Sequence, residues 1–94
     1  MGKAVKTGLP RWVNKFGKEV YAHKISEIVP FKHPMDQEAK TLWFRELDKK
    51  VNMIGIWCEK FQPKVGGYWV AEDGNNGYTE CFYLPKEIFE QEYK

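Results

Sequence analysis

The sequence predicts an α+β fold: a small antiparallel sheet of three or four strands with one central helix and a short C-terminal helix. Residues 66–93 contain two apolar runs around a turn rich in glycine and asparagine, followed by a proline that opens an amphipathic segment. Residues 36–50 carry apolar side chains at helical spacing, and residues 51–61 return to the two-residue period of a strand. With 94 residues, the chain predicts one domain with a modest core.

Residues 1–18 predict a basic N-terminal arm ahead of a single domain at residues 19–94. Glycine and proline interrupt any regular pattern in the arm, and its lysines alternate with small residues. Trp12 and Phe16 are four residues apart, as on one short helical turn, so we expect them to dock the arm on the domain.

The middle of the chain predicts a strand, a helix and a second strand. Residues 18–29 predict the first strand because they are rich in β-branched side chains. Residues 36–50 predict the central helix, with Asp36 as its N-cap and one apolar face. A strand through residues 41–47 is the competing interpretation. Residues 51–61 predict a central strand, because both faces of the pattern are largely apolar.

The C-terminal third predicts a β-hairpin followed by a helix. Residues 68–71 and 78–84 form the two strands, and the turn at residues 72–77 is dense in residues that tolerate a positive φ angle. Pro85 suits the first position of a helix, where its missing N–H would have no partner in any case. Residues 86–93 therefore predict a short helix that packs back on the sheet.

This C-terminal segment, GGYWVAEDG followed downstream by LPKEIFEQEY, resembles the C-terminal region of a group of small, uncharacterised tailed-phage proteins. The shared signature falls on Gly67, Tyr68, Val70, Asp73, Gly74, Tyr78, Pro85, Lys86, Glu87, Ile88, Phe89, Glu90 and Tyr93. The upstream segments VYAHKI and HPM are also similar to such proteins, so the resemblance covers residues 19–94.

The chain departs from the phage signature in two places. Its turn is longer, because Asn75, Asn76 and Gly77 stand between Asp-Gly and Tyr78, and Leu84 stands where a capping serine is usual. The resemblance implies a phage accessory protein that acts in the cytoplasm of an infected bacterium. It implies no mechanism.

Charged side chains are unevenly placed, although the formal net charge is only +2. Residues 1–24 hold six basic side chains and one acidic one, whereas residues 65–94 hold two basic and six acidic ones. These ends can pair within one fold or between two subunits, so a homo-oligomer stays an open interpretation. Two cysteines are too few for a disulfide framework, and the sequence has neither an apolar leader nor an apolar run of membrane-spanning length. We therefore expect a soluble cytoplasmic protein with no membrane partner.

Residues that could support catalysis or bind a metal are few. His23, His33, Cys58 and Cys81 lack the paired spacing of a metal site, so no metal ion or cofactor is expected. Both cysteines lie in apolar patterns that predict strands, where we expect buried, unreactive thiols. The sequence therefore predicts a protein that is not an enzyme.

The candidate binding residues combine basic, aromatic and turn side chains. They are Lys3, Lys6, Arg11, Trp12, Lys15 and Phe16 in the arm, Trp43 on the predicted helix, and Glu72, Asp73, Asn75 and Asn76 in the hairpin turn. The abundance of aromatic residues and the phage resemblance favour binding to a host protein, in host takeover or anti-defence. The alternative is a nucleic-acid or small-nucleotide binder, such as a sponge for a defence signal, because the arm combines cations with aromatic rings.

Overall fold

The computed structural model of the chain describes residues 7–74 and 78–93. Four of the predicted candidate residues lie outside this part: Lys3, Lys6, Asn75 and Asn76. Within it, the elements follow one another as β1 (Arg11–Val13), β2 (Glu19–Lys24), β3 (Glu27–Pro30), β4 (Lys40–Phe44), a 3-10 turn (Arg45–Leu47), β5 (Lys49–Met53), α1 (Gly55–Phe61), β6 (Tyr68–Asp73), β7 (Thr79–Leu84) and α2 (Lys86–Glu92).

The strands form two antiparallel sheets. Sheet 1 has the order β1-β2-β6-β7, and sheet 2 has the order β3-β4-β5. The predicted α+β class is therefore confirmed, with a second sheet in addition to the one expected. Neither helix in the described part of the chain is long and apolar enough to span a lipid bilayer.

The predicted C-terminal hairpin and helix are confirmed. β6 and β7 pair from Tyr68 opposite Leu84 to Asp73 opposite Thr79. Pro85 precedes α2, whose Phe89 is fully buried against one face of sheet 1. The Phe89 ring stacks on Tyr68, with ring centroids 4.0 Å apart. These aromatic contacts give a helix of only two turns the tertiary support that it needs.

The two faces of sheet 1 contact different layers. One face packs on α2 through a core that holds Val20, Ala22, Tyr68, Val70, Phe89 and Tyr93. The other face packs on sheet 2 and α1 through a core that holds Leu9, Ile25, Leu42, Phe44, Met53, Cys58 and Trp69. Sheet 1 is therefore the middle layer, and its strand β6 is buried on both faces, with four consecutive buried residues from Tyr68 to Ala71.

The helix predicted at residues 36–50 is wrong, and the competing strand is closer to the structure. β4 lies between β3 and β5, with Leu42 opposite both Ile28 and Val51. Thr41, Leu42 and Phe44 are all buried, and because successive side chains of a strand point to opposite faces, both faces of β4 are covered. Pairing on both sides of β4 outweighs the helical spacing of its apolar residues.

The strand predicted at residues 51–61 is right only as far as Met53, where β5 ends. The remainder forms α1, whose buried Gly55 donates its N–H to Asp36 Oδ2 at 2.8 Å. Asp36 therefore does cap a helix, but one that begins 19 residues later than predicted.

The single strand predicted at residues 18–29 is divided into β2 and β3. Between them Ile25 is fully buried and donates its N–H to the Gly67 carbonyl of sheet 1 at 2.8 Å. The next residue, Ser26, donates its N–H to the Trp43 carbonyl of sheet 2 at the same distance. The chain therefore passes from one sheet to the other at this point.

Part of the predicted arm belongs to sheet 1. Trp12 lies on β1, opposite Val20, so the short helical turn predicted for Trp12 and Phe16 is wrong. Asn14 starts the turn after β1, and its side-chain Oδ1 accepts the N–H groups of Phe16 and Lys18 at 2.9 and 2.8 Å. Phe16 does not dock on the domain, because its side chain is 83% exposed.

Candidate functional site

The exposed apolar side chains of the described residues are concentrated on and beside α1. Of the eight large apolar side chains that are exposed there, four belong to this stretch: Ile54 (52% exposed), Ile56 (70%), Trp57 (44%) and Val65 (61%). We call these four, together with half-buried Phe61, the α1 surface. Grouped apolar exposure of this kind is typical of interaction sites, whereas single exposed apolar residues are ordinary.

Two stacked rings form the centre of the α1 surface. The rings of Trp57 and Phe61 are nearly parallel, at 12°, with centroids 5.6 Å apart. Lys60 Nζ lies 5.0 Å from the Trp57 centroid and 5.6 Å from that of Phe61. A groove of about 370 Å³ runs beside the rings and is also lined by Trp69 and Cys81. The site therefore offers a rigid aromatic surface next to an apolar recess.

The position of α1 is set at both of its ends. The Asp36 carboxylate holds the N-terminal Gly55, where no Cβ would fit because it would lie 2.5 Å from Asp36 Oδ1. At the C-terminal end Gln62 has a left-handed conformation, with φ 48°, and donates its N–H to the Cys58 carbonyl at 2.8 Å. Cys58 is the side chain of α1 that faces the core, so Trp57 is directed toward solvent.

A second groove, of about 470 Å³, lies on the other side of Phe61, where Lys64, Val65 and Lys86 line it together with Tyr83. The Tyr83 ring covers Gly67 so closely that an added Cβ would collide with it. Tyr83 therefore joins the edge of sheet 1 to the α1 surface.

The two thiols occupy different environments, and both are protonated at neutral pH. Cys58 is buried as predicted, and desolvation raises the pKa of its thiol. The prediction that Cys81 is buried is wrong, because β7 is an edge strand and leaves this side chain exposed. The neighbouring side chains nevertheless exclude enough water to raise the pKa of Cys81 as well. Raised pKa values make both thiols weak nucleophiles.

The predicted binding residues of β1 take part in the fold. Trp12 donates its Nε1–H to the Ala22 carbonyl at 3.0 Å, and its ring meets Phe89 edge-on with centroids 5.0 Å apart. Arg11 Nε lies 3.0 Å from the Glu19 carboxylate. The indole of Trp12 therefore supports sheet 1 and α2 and does not form a free stacking platform.

The structure brings together four of the predicted candidates at one end of sheet 1: Lys15, Phe16, Glu72 and Asp73. They meet because the turn after β1 and the turn after β6 lie at the same end of the sheet. Glu72 and Asp73, predicted in the hairpin turn, are the last two residues of β6. An ion pair joins the turn after β1 to the end of β6, with Lys18 Nζ 2.7 Å from Glu72 Oε2. This hydrogen bond raises the pKa of Lys18. Glu72 therefore holds the turn after β1 against β6, and Phe16 is one of several exposed side chains at this end.

Trp43 lies apart from these residues, on β4 of sheet 2 and not on a helix. The Arg45 guanidinium is 4.0 Å from the centroid of its ring, and Lys50 Nζ is 5.2 Å from it. Arg45 also pairs with Glu27 at 3.0 Å. Among the described residues, the half-buried Trp43 ring is therefore the aromatic side chain with two cations beside it.

Metal-binding side chains are not clustered in the described residues. No three His, Cys, Asp or Glu side chains there lie close enough together to hold one metal ion. His23 is turned inward, with Nδ1 2.8 Å from the Lys24 carbonyl and Nε2 3.0 Å from the Glu46 carboxylate.

Comparisons of the chain with protein-family models, with curated proteins and with solved structures found no match. The structure defines the class of the fold, a small α+β domain of two antiparallel sheets with an apolar surface on α1. The phage lineage that the C-terminal signature predicts stays a prediction.

The α1 surface is the feature that the sequence analysis missed. All of its residues except Val65 lie in the predicted central strand at residues 51–61, because apolar side chains occupy both faces of a two-residue pattern there. The spacing of four apolar residues, Ile54, Trp57, Cys58 and Phe61, is also the i, i+3, i+4, i+7 spacing of a helix. This spacing is the signal in the sequence that could have predicted α1. The exposure of Ile56 and Trp57 has no signal in the sequence.

Proposed function

We propose that this chain is a non-catalytic protein that binds another protein through the α1 surface. The observation that carries the proposal is the exposure of four apolar side chains on and beside α1, Ile54, Ile56, Trp57 and Val65. Two of them, Ile54 and Trp57, line the groove of about 370 Å³. The phage resemblance supplies the setting, the cytoplasm of an infected bacterium, and the role, modulation of a host protein in takeover or anti-defence.

The energetics favour a protein partner for this surface. Burying one large apolar side chain that is now exposed contributes about 1.5–3 kcal/mol, and tryptophan is among the residues enriched at binding hot spots. Trp57 is stacked on Phe61, so little side-chain entropy is lost when a partner covers it. We therefore expect Trp57 and Ile56 to account for most of the binding free energy.

The chemistry of the described residues supports a binding role over a catalytic one. Desolvation raises the pKa of both thiols, so neither Cys58 nor Cys81 is an activated nucleophile. Both ring nitrogens of His23 already contact oxygen atoms of the protein.

Capture from a nuclease-treated bacterial lysate at high salt tests the proposal with two matched variants. Ile56→Asp places a charge in the α1 surface, and Ile88→Asp places the same charge on the exposed part of α2. We expect the wild type and Ile88→Asp to retain one stoichiometric protein and Ile56→Asp to lose it. With the captured protein purified, Trp57→Ala should weaken binding about tenfold or more.

Equal capture by both aspartate variants would contradict the proposal, because the α1 surface would then not be the site. Denaturation midpoints close to that of the wild type are required of each variant. This control distinguishes the loss of a binding contact from the unfolding of a variant.

Nucleic-acid or small-nucleotide binding is the second candidate, and Trp43 is the observation that favours it. A ring flanked by Arg45 and Lys50 offers stacking and phosphate contact in one place. If this function holds, a labelled single-stranded oligonucleotide should bind with an affinity that falls steeply as salt rises, and Trp43→Ala should weaken it. Retention of that affinity in Ile56→Asp would assign binding to sheet 2 instead of α1.

A further inference from the structure

His23 places a titratable ring at the border between the two sheets. Side chains alternate along β2, so Tyr21 and His23 share the face of sheet 1 that packs on sheet 2. The His23 ring meets Phe44 of β4 edge-on, with ring centroids 5.9 Å apart, and only 14% of the side chain is exposed. The neighbouring strand β6 places an uncharged residue, Trp69, opposite His23. The ring is therefore held between the sheets, at the edge of their shared apolar core.

Both ring nitrogens of His23 face oxygen atoms that only accept hydrogen bonds. Nδ1 lies 2.8 Å from the Lys24 carbonyl oxygen, and Nε2 lies 3.0 Å from Oε2 of Glu46. A neutral imidazole carries one N–H and donates to one acceptor, whereas an imidazolium carries two and donates to both. Both contacts are therefore hydrogen bonds only when the ring is protonated and the Glu46 carboxylate is ionised.

The other charged and titratable groups of sheet 1 near the ring have partners of their own. The Tyr21 hydroxyl donates to Glu19 Oε1 at 2.6 Å. Lys24 Nζ lies 5.9 Å from the centroid of the Tyr68 ring, which belongs to the opposite face of the sheet.

On the side of sheet 2, the turn between β4 and β5 and the residues beside it carry the charged groups. Arg45 pairs with Glu27 at 3.0 Å, and the Lys49 side chain lies against the chain that precedes β1. Asp48 is exposed at the end of the turn. Among the described residues, Glu46 is therefore the charged side chain that reaches the His23 ring.

We propose that the contact between His23 and Glu46 is a proton-dependent latch, which holds the turn between β4 and β5 on sheet 1. Of the ion pairs in the described residues, it alone connects the two sheets, since each of the others joins elements of one sheet. Histidine side chains ordinarily change charge between about pH 5 and about pH 8, so the latch responds to pH changes near neutrality.

Loss of one proton opens the latch. The neutral ring keeps a single N–H, and Nδ1 retains it because the Lys24 carbonyl is fixed in the backbone next to the ring. The proton from Nε2 goes to water, and the Nε2 lone pair then faces an ionised carboxylate. The side chain of Glu46 is 76% exposed, so its carboxylate turns into the solvent and leaves the ring. Protonation restores the second N–H and closes the latch again.

The open latch gives the turn more freedom without unfolding the sheets. The Asp48 N–H closes the turn by donating to the Arg45 carbonyl at 3.1 Å, and half-buried Leu47 packs on the core. An ion pair with one exposed partner changes such an equilibrium about two- to fivefold. The Arg45 guanidinium that lies over Trp43 belongs to the same turn, so the latch also affects how firmly this cation is placed.

Nuclear magnetic resonance of the full chain tests the contact itself. The ring resonances of His23 are followed from about pH 5 to about pH 8, with exposed His33 as the internal control. We expect the titration midpoint of His23 to be lower in Glu46→Ala than in the wild type, by a fall of about two- to fivefold in proton affinity. Glu59→Ala removes another exposed carboxylate, on α1, and should leave the midpoints of both histidines unchanged.

Amide hydrogen exchange of Asp48 tests the effect on the turn. After correction for the intrinsic exchange rate, protection of this N–H in the wild type should fall about two- to fivefold between about pH 5.5 and about pH 8. Glu46→Ala should show the lower protection at both pH values. Glu46→Gln should show the higher protection at both, because its amide N–H donates to the neutral Nε2 and its carbonyl accepts from the charged ring.

Equal His23 midpoints in the wild type and Glu46→Ala would overturn the proposal, because the carboxylate would then not hold the ring proton. A lower midpoint together with Asp48 protection that does not depend on pH would overturn it too, since the contact would not control the turn. Protection that still depends on pH in Glu46→Ala has the same consequence, because another group would then be responsible. None of these measurements involves a partner, so failure of the proposed function leaves the latch untouched.

Discussion

Replacement of Asp36 by alanine should destabilise the protein through α1, although Asp36 lies outside that helix. Its carboxylate Oδ2 accepts the Gly55 N–H at 2.8 Å, across 19 residues of chain. The residue at the N-cap position, Ile54, makes no side-chain hydrogen bond. Asp36 therefore supplies the capping acceptor that the helix lacks locally.

The magnitude follows from the burial of Gly55. Loss of an N-cap acceptor costs about 0.5–2 kcal/mol, and a buried donor left without a partner costs about 1–3 kcal/mol. The two figures describe the same lost bond, so we expect Asp36→Ala to lower the free energy of unfolding by about 2 kcal/mol. Asp36→Asn is the matched control, since it keeps an acceptor oxygen and loses only the charge near the helix terminus, worth about 0.5 kcal/mol.

Urea denaturation followed by circular dichroism measures both variants, with the midpoint shifted and the slope unchanged. Gly55→Ala provides an independent check of the contact. A Cβ there would lie 2.5 Å from Asp36 Oδ1 and 2.7 Å from Glu38 Cβ, so this variant should lose stability although alanine is the better helix former. The loss should be smaller when Asp36 is already alanine, because one of the two collisions is then absent.

Equal midpoints for Asp36→Ala and Asp36→Asn would refute this reasoning, because the acceptor oxygen would then have no value. A more stable Gly55→Ala would refute it as well. That result would mean that helix propensity outweighs the close approach of Asp36.

Three further predictions concern other parts of the fold. The pKa of Tyr68 is raised to about 12 from an ordinary value of 10. Burial is the larger cause, and the hydrogen bond to Glu90 is the second. The folded state holds the Tyr68 proton more tightly than the unfolded state does. The contribution of this proton to the free energy of unfolding is therefore fully present below pH 10. It is lost as the pH rises from 10 toward 12, by about 2–3 kcal/mol. Denaturation midpoints across this range should fall less steeply in Tyr68→Phe, and equal slopes would contradict the assignment. Trp12→Phe keeps a ring but removes the hydrogen bond to the Ala22 carbonyl, so urea denaturation should show a loss of about 1 kcal/mol, and an unchanged midpoint would show that the bond contributes nothing. Gln62→Gly should raise stability by about 0.5 kcal/mol in the same assay, because φ is 48° at this position, and a loss would mean that unfolded-chain entropy outweighs the relief of strain.

The C-terminal third of the fold was determined by the sequence alone because its signals are local. The glycine- and asparagine-rich turn returns the chain on itself, and alternation orients Tyr68 and Trp69 to opposite faces. Pro85 precedes α2, and Phe89 provides its apolar anchor. Each of these signals acts within a few residues, so no distant contact is needed to interpret it.

The middle of the chain was decided by tertiary structure. Apolar residues in β4 fit both a helix and a strand, and pairing with β3 and β5 selects the strand. Residues 54–61 fit both patterns as well, and there the Asp36 carboxylate, distant in sequence, selects the helix. Local propensity differs by less than about 1 kcal/mol between such alternatives, which a few long-range contacts exceed.

Long-range contacts also decide which candidate binding residues are used by the fold and which remain at the surface. The sequence identified Trp12 and Trp43 as candidate binding residues, but the fold packs the first against its core and leaves the second on a sheet face beside Arg45. Ile56 and Trp57 are exposed because α1 packs on the core through Cys58, and neither sheet covers the other side of the helix. A sequence specifies which side chains are apolar, whereas the packing of distant segments decides which of them remain in contact with water.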